Sequence, residues 1–183
     1  MPTWGWIVIG IAAAIVVVAV VLAALRSRQS RELKGRFGPE YDRVAADAPS
    51  KREAEAELRE RQRRHDELDL HPLDRNDRER FKVRWEDVQA RFVDDPPGAV
   101  GDADGLIQEV MRKRGYPVDD FESRAADLSV EHGDVVDNYR SAHGIATAHE
   151  QGTAGTEELR HAFRQYRSLF ASLVDRSREE VRS

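Results

Sequence analysis

Between Trp4 and Leu25 lie 22 consecutive residues without a charge, WGWIVIGIAAAIVVVAVVLAAL. In lipid an isolated apolar segment must satisfy its own backbone groups, and only a helix does that alone. At about 1.5 Å rise per residue the run extends roughly 33 Å, against a hydrocarbon core of about 30 Å. Trp4 and Trp6 sit at one end, where amphipathic rings favour the headgroup layer. A cleaved signal peptide would need a basic leader, a shorter apolar stretch and a small-residue cleavage site. Met1-Pro2-Thr3 carries no basic side chain, and the run is too long. The expectation is a retained transmembrane helix over residues 4–25, with the lipid bilayer as its first partner.

Arg26, Arg28, Arg31, Lys34 and Arg36 follow at once, opposed only by Glu32. The positive-inside rule keeps such a flank in the cytoplasm, which puts the N-terminus outside and residues 26–183 inside. The same charges attract anionic headgroups by roughly 1 kcal/mol each near the surface. As sequence alone they read as a topology signal rather than a lipid site. A small-residue spacing, Gly10-x-x-x-Ala14, would let two spans approach and form a homodimer. Arginine outnumbers lysine 25 to 4, the codon supply of a GC-rich bacterial genome, so the expected location is the bacterial inner membrane.

The chain has no cysteine, which excludes disulfides and cysteine-based zinc or redox sites. Residues 26–80 hold 15 basic and 14 acidic side chains. Leu33, Phe37, Tyr41 and Val44 recur at helical spacing, with Gly38-Pro39 resetting the chain between them. Pro49-Ser50 opens a second helix, from Lys51 to about Leu68. Glu55–Arg59, Glu57–Arg61 and Glu60–Arg64 are favourable i,i+4 pairs within it. Ala54, Leu58 and Leu68 are too few apolar positions for a coiled coil. This segment therefore reads as a charged helical arm, a solvated link between membrane and domain. Its interleaved glutamates cancel Arg59, Arg61, Arg63 and Arg64, which argues against nucleic acid as a partner.

Residues 81–183 form the expected domain, all-α, with about four main helices in a compact bundle. Asn76 or Asp77 can cap a helix presenting Phe81, Trp85, Val88 and Phe92. Asp95 and Pro96 start a second, which carries Val100, Leu106, Ile107 and Met111 and ends at Gly115. A short helix over residues 119–127 buries Phe121, Ala125 and Leu128. Val135, Val136, Tyr139, Ala142, His143 and Ala146 mark the next. Gly152–Gly155 breaks the chain, and Thr156 caps a last helix whose stripe runs from Leu159 to Val174. The domain holds 14 basic against 20 acidic residues, a surface suited to a protein partner rather than to an anionic one.

The search for chemistry yields no catalytic, cofactor-binding or metal-binding residues. Reading Asp102-Ala103-Asp104-Gly105 as a calcium loop puts Val100 at position one and Met111 at position twelve, neither of which can ligate calcium. His143 and His149, six apart, do not share a helix face. No glycine-rich phosphate loop or nucleophile elbow occurs. Acidic pairs such as Asp119-Asp120 sit where a helix N-terminus favours negative charge.

Three stretches are idiosyncratic: RFGPEYDR at Arg36–Arg43, RFVDDP at Arg91–Pro96, and the block from Arg114 through His132, continuing from Val135 to His143. On these motifs, over most of residues 33–174, the chain resembles a family of bacterial membrane-anchored small helical proteins that has no assigned activity. The resemblance implies a helical domain and membrane association, and carries over no catalytic residue. Gly133 stands where similar sequences have proline. The leading expectation is non-enzymatic: a single-pass membrane protein whose cytoplasmic helical domain docks another protein. The candidate interaction surface is Tyr116, Asp119, Asp120, Arg124, Asp127, Tyr139 and Arg140. The alternative is a ligand-binding or enzymatic bundle with an inter-helix pocket lined by Trp85, Tyr139 and His143.

Overall fold

In the computed structural model the described residues are 3–180, with side chains for 14, 16–21, 23–25 and 27–175. They are all-helical, with no strand among them. The eight helices are α1 (Thr3–Phe37), α2 (Pro39–Asp47), α3 (Lys51–Asp66), α4 (Arg75–Arg91), α5 (Pro96–Arg114), α6 (Phe121–Glu131), α7 (Val136–Glu150) and α8 (Thr156–Glu180). Most side chains of the expected span, including Trp4, Trp6 and Gly10 of the dimerisation spacing, lie outside the described residues. Among the described residues no helix is long and apolar enough to cross a membrane.

Helix ends follow local chemistry. Asp95 accepts the Gly98 N–H at 3.0 Å ahead of Pro96, and Asp120 accepts the Ser123 N–H at 3.0 Å. Ser50 accepts the Glu53 N–H at 3.3 Å and donates to its carboxylate at 2.9 Å, so the two ends of the first turn hold each other. α4 starts earlier than its sequence suggests. Asp74, extended after Pro72-Leu73, accepts the Asp77 N–H at 2.7 Å and is the cap, so Asn76 and Asp77 already lie inside the helix. Gly115 ends α5 at φ 96°, and a Cβ there would stand 2.3 Å from the Asp69 carbonyl oxygen.

The main core gathers α4, α5, α7 and α8 around Phe81, Trp85, Leu106, Ile107, Tyr139 and the Leu159–Val174 stripe. Trp85 stacks between Phe163 and Phe170 at centroid distances of 5.3 and 4.6 Å. Four helices do not exhaust the folded body, however, and the expected count needs correction. A second hydrophobic cluster joins Leu33 and Phe37 of α1, Tyr41 and Val44 of α2, Ala54 and Leu58 of α3, and Val130 of α6. The arm is thus folded onto the bundle, not solvated.

The reason lies in one stripe of α3. Ala54, Leu58, Arg61 and His65 follow one another at helical spacing, and all four are buried. Two of the four are polar by composition, and so the stripe is hard to see in the sequence. α1 docks through its last turn, where the Phe37 carbonyl lies so close to Gly133 that a Cβ would stand 2.4 Å from its oxygen. A side chain at 133 would push α1 off the α6–α7 junction.

A solvated arm and a folded one predict different costs for Leu58→Ala. On a solvated helix the change is nearly neutral, whereas emptying a fully buried leucine site costs about 2–5 kcal/mol. We expect the larger loss, with α1–α3 and the bundle unfolding in one transition when the full chain is denatured chemically in a mild detergent.

Candidate functional site

The place where α1–α3 meet α6 and α7 concentrates the buried charge of the described chain. At its centre is Glu40, wholly buried in the first turn of α2. Three arginines from three helices converge on its carboxylate. Arg43 donates from the same helix at 2.9 and 2.7 Å, Arg61 of α3 at 2.7 Å, and Arg140 of α7 at 2.9 and 3.2 Å. Burial alone pushes this carboxyl upward. The hydrogen bonds from Arg43 and Arg61 and the charge of Arg140 outweigh it, and hold Glu40 below the usual glutamate range. Asp47 and Glu57 engage Arg43 and Arg61 in turn, so the excess positive charge is spread toward the surface.

A second network lies on the other side of α6. Arg114, the last residue of α5, is buried, as is His132 at the end of α6. Tyr116 donates its hydroxyl to Glu131 at 2.7 Å, and the Arg114 guanidinium lies 3.7 Å from the same carboxylate. His65 of α3 approaches Glu131 at 3.6 Å. His132 Nδ1 lies 2.9 Å from the Ser172 hydroxyl of α8, while its Nε2 faces Arg114 at 3.5 Å. The Ser172–His132 contact has the shape of a nucleophile and base. On the opposite side of the ring the Arg114 guanidinium stands closer to Nε2 than the Glu131 carboxylate, which lies 3.9 Å away, and both Arg114 and His132 are buried.

The structure turns most of the candidate interaction surface inward. Tyr116 and Tyr139 are core side chains. Arg124 is buried and donates to the Tyr139 hydroxyl at 3.1 Å. Asp127 is buried on α6, its carboxyl pushed up by burial, with Arg64 and His65 pulling the other way. Arg140 is half-buried on Glu40. Only Asp119 and Asp120 face solvent, and Asp120 is the α6 cap. Five of the seven are thus turned inward, and Arg140 belongs to the joint that the two motifs build together. RFGPEYDR supplies Phe37, Glu40 and Arg43, and the 114–143 block supplies Val130, Gly133 and Arg140.

The alternative pocket does not assemble. Trp85 is stacked in the α4–α8 interface, and His143 lies flat on Phe121 at 3.7 Å. Tyr139 touches Phe121 and Tyr166, and burial, with the nearby Asp104 carboxylate adding to it, holds its phenol far above the ordinary range. A cleft of about 960 Å³ lies instead among α1, α2 and α3. Among the described residues no three His, Asp or Glu side chains are grouped to hold a metal ion.

Sequence reasoning passed over Glu40, Arg61, Arg114 and His132. A signal existed for the first two. Glu40 shares a helix face with Phe37, Tyr41 and Val44, and Arg61 continues the stripe begun by Ala54 and Leu58. A charged residue on an apolar face is a candidate for a buried ion pair. Arg114 reads equally well as a charge complementing the end of α5, and nothing local distinguishes the two roles.

The chain matches no protein-family model, no curated protein and no solved structure.

Two substitutions separate the charge effects at this joint. Glu40→Gln leaves three guanidinium groups facing a neutral amide and is expected to cost about 3–5 kcal/mol at neutral pH. Because the Glu40 pKa is depressed, its stabilisation is present above the ordinary value of 4.5 and is lost as pH falls through the folded-state value. The gap between wild type and variant in denaturant titrations should therefore close in acid. Asp127 has the opposite sign. Its raised pKa favours the fold at low pH and opposes it as the carboxyl ionises. Asp127→Asn should raise the melting temperature at pH 7 relative to pH 4, measured against wild type by circular dichroism.

Proposed function

We propose that this chain is a single-pass protein of the bacterial inner membrane, with its N-terminus outside, that holds a cytoplasmic helical domain rigidly at the membrane surface for docking another protein. The observation that carries the reading is the state of α1. It leaves the folded domain as one uninterrupted helix, and the described apolar side chains Val16, Val17, Val18, Val20, Val21 and Leu25 are all at least half exposed. At 100° per residue these positions cover about 200° of the helix, and the exposed Ala19 and Ala23 lie on the remaining side. Whatever covers them must surround the helix, as lipid does and as a partner on one face does not. The basic residues from Arg26 to Arg36 support the inward orientation.

Docking is supported by the attachment and by the charge. A flexible tether would leave the domain's orientation to chance, whereas Leu33 and Phe37 bury the last turns of α1 in the second cluster. The domain presents an acidic exterior, with 14 basic against 20 acidic residues over 81–183. A partner with a basic surface fits it, and Asp119 and Asp120 remain available for such contact. A homodimer through the span would double that acidic surface without altering it.

Alkaline carbonate extraction and protease treatment of spheroplasts test the membrane reading. The protein should stay with the membrane fraction, and residues 26–183 should resist protease until the cells are lysed. Release by carbonate, or digestion from outside, would overturn it. Cross-linking in native membranes tests docking. A recurring basic partner is expected, and recovery of the chain alone would remove the docking claim.

A further inference from the structure

The cleft of about 960 Å³ among α1, α2 and α3 is lined by five cationic side chains and a single carboxylate. Arg31 and Lys34 come from α1, and Lys51, Arg52 and Arg59 from α3, with Glu55 as the one carboxylate among its lining residues. That carboxylate is already engaged. It accepts hydrogen bonds from Ser30 at 2.5 Å and Tyr41 at 3.0 Å, and it lies 3.7 Å from the Lys51 ammonium. Burial pushes Glu55 upward, but these donors outweigh it and keep it below the usual range, so it stays ionised as the floor of the cleft.

The cations differ in how far they are committed. Lys34 is paired with Asp42 at 2.9 Å. Arg59 spends its Nε on the Glu55 carbonyl at 2.9 Å and keeps its two terminal nitrogens uncommitted by any ion pair among the described residues. Arg31 and Arg52 have no ion pair among the described residues. Three guanidinium groups from two helices thus border one cleft, a donor arrangement suited to the oxygens of a phosphate.

Height decides which phosphate. Ser27, the first lining residue of α1, lies two positions past Leu25, and Arg31 lies six past it. At about 1.5 Å per residue they stand roughly 3 and 9 Å beyond the apolar run. The headgroup layer on one side of a bilayer is about 5–8 Å thick. If α1 crosses the bilayer, the Ser27 end of the cleft lies within that layer and Arg31 stands at its outer edge, its side chain leaning back toward the membrane.

The geometry points to an anionic phospholipid site: the α1–α3 cleft takes the phosphate of a lipid headgroup on Arg31, Arg52 and Arg59, which fixes the domain against the inner leaflet. This inference rests on the membrane reading above. It goes beyond the topology signal of residues 26–36, because Arg52 and Arg59 come from the folded arm.

The test uses the full chain purified in a neutral detergent. Its melting temperature is followed during titration with short-chain phosphatidylglycerol, with phosphatidylcholine of the same chain length, and with inorganic phosphate. Phosphatidylglycerol should stabilise at concentrations well below those of the other two. Gln substitutions at Arg31, Arg52 and Arg59 should each weaken that effect about fivefold. The three exposed positions leave the Glu40 joint intact, so unchanged unfolding of the variants without lipid serves as the control. Equal stabilisation by phosphatidylcholine, or an effect that survives all three substitutions, would overturn the site. Equal potency of inorganic phosphate would keep the phosphate chemistry and overturn the lipid assignment. Carbonate extraction stands apart from these readouts. A protein that stays in the membrane yet ignores phosphatidylglycerol loses only the site, and one that carbonate releases loses the anchor.

Discussion

One buried carboxylate fixes how the membrane-proximal helices sit on the bundle. Glu40 offers two oxygens to Arg43, Arg61 and Arg140, which belong to α2, α3 and α7. Burying a charge costs several kcal/mol unless hydrogen bonds and opposite charges offset it. Only one placement of the three helices provides them all. The interaction is therefore a constraint on geometry more than a source of net stability, and a neighbouring arrangement would leave an unpaired ion in the interior. The hydrophobic cluster of Leu33, Phe37, Tyr41, Val44, Ala54, Leu58 and Val130 supplies attraction, but attraction without direction.

The joint also ties together stretches that are remote in sequence. Arg140 stands 100 residues from Glu40, and the Gly133 backbone closes on the Phe37 carbonyl. These contacts are short and shape-specific, so a change at either partner disturbs the joint. That gives RFGPEYDR and the 114–143 block a structural purpose. Their unusual composition reflects packing, and most of the residues that looked like an exposed recognition surface are buried. The rigidity that follows has a mechanical consequence. α1 cannot swivel at Phe37, so any constraint on its apolar half is transmitted to the position of the whole domain.

Much of the fold was legible because it rests on local chemistry. The Asp95-Pro96 start of α5, the Gly115 stop, the Ser50 cap and the apolar stripe of α8 all depend on residues within a turn of one another. The folded state of the arm was not legible. Arg61 and His65 occupy half of the buried stripe of α3, and a reading by hydropathy counts both as solvent-facing. α4 was misplaced at its start for a smaller reason, since three acidic or amide residues compete for one cap and the extended backbone after Pro72 selects Asp74.

The helical class, most helix boundaries and the division of charge into an uncharged run, a basic flank and an acidic remainder are readable along the chain. These are properties of composition and of neighbours along the chain, and distance in sequence measures them directly. Tertiary structure alone decided that the arm belongs to the folded body, that Tyr116, Arg124, Asp127 and Tyr139 are internal, and that Arg31, Arg52 and Arg59 border one cleft. The physical reason is partnership. A charge in isolation prefers water, and nothing local records that a counter-charge 100 residues away will meet it. Whether an arginine is buried, paired or left open for a ligand depends on which helices come together around it.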